Sequence, residues 1–131
     1  MITAGFTAGQ INLFADEVQP SVDFYTQACG FTETFRTPED GPPDHVEMTL
    51  GGLKLGVARR AAGAAMHGLD LVAGPAQCDV TLWCADADAA YAGLVGWGAT
   101  PVREPHDFGS NRAGWLRDPA GHLVSVVAKT S

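Results

Sequence analysis

The stretch Trp115–Val127, WLRDPAGHLVSVV, decides the fold. Asp118-Pro119-Ala120-Gly121 is a turn signal between two short apolar runs. Proline suits an early turn position and glycine supplies a positive φ later, so a hairpin with a three- or four-residue loop is expected. A shorter version lies upstream: Val46–Leu50, then Gly51-Gly52, then Leu53–Val57. Aligning the two turns gives an offset of 69 residues. That offset lays Gln10–Ala15 (QINLFA) on Asp79–Cys84 (DVTLWC). With one residue deleted it also lays Cys29-Gly30-Phe31 on Trp97-Gly98-Ala99. The chain reads as one unit used twice, and a repeat constrains the fold before any single element does.

In the first unit, Ala8–Ala15 alternates in character, with Ile11, Leu13 and Ala15 on one face and Gln10, Asn12 and Phe14 on the other. Pro20 suits a first helical turn, Val22, Tyr25 and Ala28 or Cys29 follow at helical spacing, and Gly30 stops the helix. Phe31–Arg36 reads as a strand, Thr37–Asp44 as a loop, and His45–Leu50 with Leu53–Arg59 as the glycine hairpin. The second unit begins at Cys78–Cys84. Asp86 or Asp88 caps its helix, which buries Tyr91, Leu94 and Val95. Thr100–Glu104, Arg112–Arg117 and Leu123–Val127 are its remaining strands, and Pro105–Asn111 is the loop matching Thr37–Asp44. Each unit is therefore β-α-β-β-β. The expected organisation is one domain over 1–131, with module one at 8–59, a linker at 60–76 and module two at 77–128. The linker's middle, Ala61–Leu69, is either coil or a short helix.

A chain of 131 residues, 46% hydrophobic and 18% charged, is sized and composed for one globular core. Its net charge of −7 argues against nucleic acid as a partner and modestly favours a cationic ligand. No apolar run reaches membrane-spanning length, and the first residues lack the pattern of an export signal. Three cysteines, Cys29, Cys78 and Cys84, form no CxxC pair and read as reduced thiols of a cytoplasmic protein.

The repeat, with Val22-Asp23-Phe24-Tyr25 and Gly30-Phe31, Asp86–Tyr91 and Gly98-Ala99, and Arg117–His122, resembles the vicinal oxygen chelate superfamily. That family holds glyoxalases, extradiol dioxygenases, fosfomycin-resistance enzymes and bleomycin-binding proteins. The resemblance implies an α+β fold, with two βαβββ modules paired into a curled mixed sheet enclosing a cavity. It also implies a small-molecule ligand and a homodimer, the cavity lying within one chain or between two. In metal-using members the resemblance puts ligands at Gln10, Gly56, Asp79 and Ser125. The family usually shows His or Gln, Glu or His, His, and Glu there. Glycine has no donor atom, and serine is a poor ligand for a divalent ion, so no metal or other cofactor is expected. His45, His67, His106 and His122 have no partner at ligand spacing. His122 faces away from the cavity or braces the turn.

Period-two alternation carries Gln10, Asn12 and Phe14 inward, and likewise Asp79, Thr81 and Trp83. Trp115 pairs with Ser125 if the turn carries a three-residue loop, whereas a tighter loop would turn Leu116 inward instead. Glu47 pairs with Gly56 across the glycine turn. Asp79 serves as a counter-charge or is paired with Arg103, Arg112 or Arg117. Trp97 reads as packing, Lys54 and Arg59 as solvent-facing, and Cys84 as a small buried apolar residue.

The favoured function is a metal-free binding protein, similar to the bleomycin-resistance members, sequestering an antibiotic or another planar, cationic ligand in an aromatic-lined cavity. The alternative is a lyase, isomerase or dioxygenase with an altered metal set, or with Asp79 or Glu47 as general base. A structural or regulatory module, its cavity filled by its own aromatics, is a third reading.

Overall fold

A computed structural model describes residues 5–130. In order, the elements are β1 (Ile11–Ala15), α1 (Val18–Asp23), β2 (Thr32–Thr37), β3 (His45–Leu50), β4 (Leu53–Arg59), α2 (Arg60–His67), β5 (Val80–Trp83), α3 (Ala87–Gly96), β6 (Thr100–Phe108), β7 (Asn111–Arg117) and β8 (Leu123–Lys129). The strands form two four-stranded sheets of identical order, β1-β4-β3-β2 and β5-β8-β7-β6. In each, the first strand runs parallel to the last and the other pairs are antiparallel. This is the α+β repeat implied by the offset between the two hairpins. The two sheets share no ladder among the described residues, so backbone hydrogen bonds do not close the curl.

The one-residue deletion has a structural location. α1 continues into a π-helical turn, Phe24–Ala28, where Cys29 N–H bonds the Phe24 carbonyl. In α3 the matching bond spans one residue fewer, from Trp97 N–H to the Gly93 carbonyl. Phe31 N–H to the Tyr25 carbonyl is likewise matched by Ala99 N–H to the Leu94 carbonyl. A π turn accommodates an inserted residue without breaking the helix. The equivalent pairs are therefore Phe24 with Gly93, and Tyr25 with Leu94.

One core joins the modules. Leu13, Val46, Met48, Leu55 and Val57 contribute from the first sheet, Val80, Leu116, Val124 and Val126 from the second, and Val22, Phe24, Tyr25, Tyr91 and Leu94 from the helices. Burying such side chains contributes about 1.5–3 kcal/mol each before entropy is counted. A polar joint ties the modules as well. The Tyr25 hydroxyl donates to Asp118 at 2.6 Å, and His122 Nε2 bonds the Phe14 carbonyl at 2.7 Å. Asp118 also accepts from the backbone N–H of Ala120 and of His122, both at 2.9 Å. Burial, with Asp118 alongside, pushes the Tyr25 pKa well up. The decisive hairpin is closed by Asp118 N–H to the His122 carbonyl, leaving Pro119-Ala120-Gly121 as a three-residue loop with Gly121 at φ +92°. His122 thus braces module two against β1 as well as its own turn.

Several expectations change. The segment Pro105–Asn111 is not a loop: β6 runs through it to Phe108, and only Gly109 and Ser110 turn. A bulge between Arg103 and His106 absorbs the break that composition suggested. The linker does form a helix, α2, ended by Gly68 in the left-handed region. Arg60 anchors the segment after α2 by donating to the Leu71 carbonyl at 2.8 Å, and holds it to β1 by donating to the Phe14 carbonyl at 3.3 Å. Asp86, not Asp88, caps α3 by accepting from Ala89 N–H. Val95 lies exposed instead of on the buried side of α3. Ile11, placed by alternation on the face of Leu13, is also exposed, because it lies at the open end of an edge strand.

Candidate functional site

Each sheet turns one face to the core and carries polar residues on the other. On the first sheet the pairing lines up Asn12, Gly56, Glu47 and Phe35 across β1, β4, β3 and β2. On the second it lines up Thr81, Ser125, Trp115 and Arg103 across β5, β8, β7 and β6. The expected pairings of Glu47 with Gly56 and of Trp115 with Ser125 are both present.

On the first face Gln10 donates to Asn12 at 2.9 Å and to Glu47 at 3.1 Å. Glu47 also receives His45 Nε2 at 3.0 Å and pairs with Lys54 at 3.0 Å. These contacts from His45, Gln10 and Lys54, in that order of weight, pull the Glu47 carboxyl down to about 2. Lys54 is therefore engaged, not simply solvent-facing. His45, for which the sequence offered no partner at ligand spacing, starts β3 as expected and shares Glu47's face. The alternation of His45–Leu50 held that signal. Gly56 leaves the space that the side-chain ends of Asn12 and His45 use. A Cβ there would collide with Asn12 Oδ1 and come within 2.9 Å of His45 Cε1. Phe14 lies apart from this cluster, beside the linker in a recess of about 420 Å³ with Arg60 and His122.

On the second face the polar groups form a directed chain. Ser125, fully buried, donates to Thr81 at 3.0 Å, and Thr81 donates to one oxygen of Asp79 at 3.0 Å. The other oxygen of Asp79 accepts from Trp115 Nε1–H at 3.1 Å. His106 stacks on the Trp115 ring, centroids 5.9 Å apart and planes 29° apart. Composition hid His106 because PHDFGSN looks like loop, yet the bulged strand delivers it to Trp115. Among the described residues no cation pairs with Asp79. Arg112 engages Asp88 and Asp107, and Arg117 donates to the Gly121 carbonyl. Two neutral donors thus hold a carboxylate in place while leaving its charge uncompensated, beside an aromatic stack. That arrangement favours a cation, which gains both the carboxylate and the ring face.

Trp83 is not gathered with Asp79. It lies at the end of β5, 62% exposed, with Lys129 Nζ 5.5 Å from its ring centroid. Cys84 is half-buried, with its thiol donating to the Val127 carbonyl at 3.5 Å. Trp97, expected as packing, is half exposed.

The four positions where the resemblance implies metal ligands do not fit a metal. Gly56 has no donor and its space is taken, and the Ser125 hydroxyl is a neutral group that donates to Thr81, which leaves only the oxygens of Gln10 and Asp79, fewer than a catalytic metal site keeps. Among the described residues no three His, Cys, Asp or Glu side chains gather as a metal would require.

Residues 7–126 match the family model described as Glyoxalase/Bleomycin resistance protein/Dioxygenase superfamily. No curated protein matches the chain significantly. Solved structures do. A glyoxalase/bleomycin resistance protein/dioxygenase family enzyme from Burkholderia phytofirmans PsJN superposes with a TM-score of 0.80 at 17% identity, covering 94% of this chain and 99% of that one. TioX from Micromonospora sp. ML1 gives 0.74 at 22% identity, covering 94% and 99%. The fosfomycin resistance protein FosX from Mesorhizobium loti gives 0.67 at 14% identity, covering 98% and 95%. At such identities the likeness is one of fold.

Proposed function

This chain belongs to the glyoxalase/bleomycin resistance protein/dioxygenase superfamily, and we propose that within it the protein is a metal-free binding protein for a planar, cationic small molecule, with sequestration of an antibiotic as one such use. The observation that carries this reading is Asp79. Its carboxylate is fixed by Trp115 and Thr81, adjoins the His106–Trp115 stack, and has no cationic partner among the described residues. Each aromatic contact to a planar ligand adds about 0.5–1.5 kcal/mol beyond burial, and a cation over a ring adds a comparable amount. The donor set at Gln10, Gly56, Asp79 and Ser125 supports the metal-free part.

The proposed binding unit is a homodimer. Both polar faces lie open in one chain, and Phe35, Val102 and Phe108 are exposed large hydrophobics on the strands β2 and β6. A second copy laying its second sheet over the first sheet would enclose both clusters and contribute the other half of each site. The proposed compartment is the cytoplasm, supported by Cys29, Cys78 and Cys84, all free thiols. No helix of the described residues is long and apolar enough to cross a membrane.

The enzyme reading draws on the family alone. Of its two candidate bases, Glu47 is held near 2 and is a weak base at neutral pH. The deciding experiment pairs elemental analysis with titration. Protein incubated with zinc, nickel, manganese or iron(II) and then dialysed should carry no stoichiometric metal. A planar aromatic cation such as ethidium should quench tryptophan fluorescence saturably. Stoichiometric metal, or no saturable quenching, would overturn the proposal.

A further inference from the structure

The modules differ most sharply at the helix position shared by Phe24 and Gly93. In module one that position holds an aromatic ring, Phe24, 2% exposed and packed edge-to-face on Tyr25 at 5.1 Å. In module two it holds no side chain, and the next position carries Leu94 in place of Tyr25. Added to Gly93, a Cβ would meet nothing within 4 Å. The consequence is a groove of about 330 Å³ between the end of the α1 π turn and α3. Its floor is small or aliphatic: Ala28, Ala90, Gly93, Leu94, Leu82 and Val126. Trp83 and Trp97 stand at its sides, both at least half exposed.

We infer that this groove is a second, separate binding site, and that its ligand is a small uncharged planar aromatic molecule. The repeat itself supplies the chemistry. Equivalent backbone hydrogen bonds frame the two positions, and one of them is already occupied by a phenyl ring from the chain. The groove's volume is at the lower end for ligand pockets. An enclosed apolar cavity left by a missing side chain takes up a free ring, and this groove, though open to solvent on one side, offers the same kind of lining. Trp83, which keeps one ring face for Lys129, and Trp97 both line the groove and offer such a ring offset or edge-to-face contact. Neither a carboxylate nor a basic side chain lines the groove. Its ligand therefore differs from the cation proposed for Asp79. Cys29 and Cys84 also line it, and burial pushes the Cys29 thiol up to about 12, so the thiols stay protonated and add to its apolar character.

Indole is the probe. Equilibrium dialysis of the full-length protein against indole should show saturable binding. Gly93→Phe, which supplies the missing ring from the helix, should weaken that binding about tenfold or more, with an unchanged far-ultraviolet dichroism spectrum. Asp79→Asn should bind indole as the parent protein does. In the unsubstituted protein, bound indole should slow alkylation of Cys84 by a maleimide while leaving that of the exposed Cys78 unaltered, a readout that needs no folded variant. Absence of saturable binding, undiminished binding in Gly93→Phe, loss in Asp79→Asn, or unprotected Cys84 would each overturn the assignment. Indole binding that disappears as the protein is concentrated into dimers would do so as well, because a second copy would then be the groove's occupant.

Discussion

The rows Asn12–Gly56–Glu47–Phe35 and Thr81–Ser125–Trp115–Arg103 occupy equivalent places in two sheets of the same order, yet their charges are handled oppositely. On the first row the carboxylate is saturated: Glu47 has His45, Gln10 and Lys54 around it. Beside the second, Asp79, just before β5, is oriented by the neutral donors Thr81 and Trp115 and keeps its charge available. The hairpins diverge in the same manner. The second ends in Asp118, which gathers Tyr25 and two backbone N–H groups, whereas the first ends in a bare Gly51-Gly52 turn beside the groove. A duplicated backbone therefore does not impose duplicated chemistry. Register sets where a side chain stands, and the partners present there set what it does.

The largest test of this contrast is Asp118→Ala. It orphans the buried Tyr25 hydroxyl and two N–H groups, so stability should fall by about 3 kcal/mol or more in urea denaturation. A loss under about 1 kcal/mol would show that the polar joint is not what binds the halves. Next is Gly56→Ala, whose Cβ must displace Asn12 and His45 and should cost about 1–3 kcal/mol. Ser125→Ala, at the equivalent place on β8, leaves only Thr81 without its donor and should cost about 1 kcal/mol. Equal losses would mean the two rows are packed alike.

A smaller effect sharpens the charge contrast. Asp79→Asn and Trp115→Phe should each weaken ethidium binding about tenfold, near 1.4 kcal/mol. Glu47→Gln should change it by less than about twofold, because Glu47's charge is already answered. The reverse ranking, read by fluorescence titration, would move the counter-charge to the first row. The smallest effect lies in acid. Glu47 ionises near 2 folded and near 4.5 ordinarily, so its contribution is complete above pH 4.5 and is lost as pH falls towards 2. Because the side chain is partly exposed, Glu47→Gln should remove under about 1 kcal/mol of that acid dependence in urea melts at pH 2 to 6.

Much of this was legible in the chain. The two turns gave the offset, the offset gave the repeat, and alternation gave the facing rows. Alternation placed Thr81 on the face of Asp79, the family resemblance added Ser125, and a three-residue turn put Trp115 opposite Ser125. His45 and His106 were missed for different reasons. His45 begins a strand directly after a loop rich in proline and acid, and His106 sits in a strand whose bulge lets it tolerate Pro101 and Pro105. Composition reports mean tendency, whereas a bulge is set by the neighbouring strand.

By itself the sequence determined the repeat and the strand faces, and, once the resemblance named the ligand positions, the poverty of the donors standing there. These follow from period, turn chemistry and donor atoms, all local properties. Only the tertiary structure decided which charge is answered. Lys54 and His45 reach Glu47, while Arg103, Arg112 and Arg117 form no ion pair with Asp79 among the described residues. It also decided where the extra residue of the first helix went, and that an apolar groove of about 330 Å³ opens where Gly93 replaces Phe24. Ion pairs and grooves depend on distances of a few ångströms between segments far apart in the chain, and no local pattern encodes those distances.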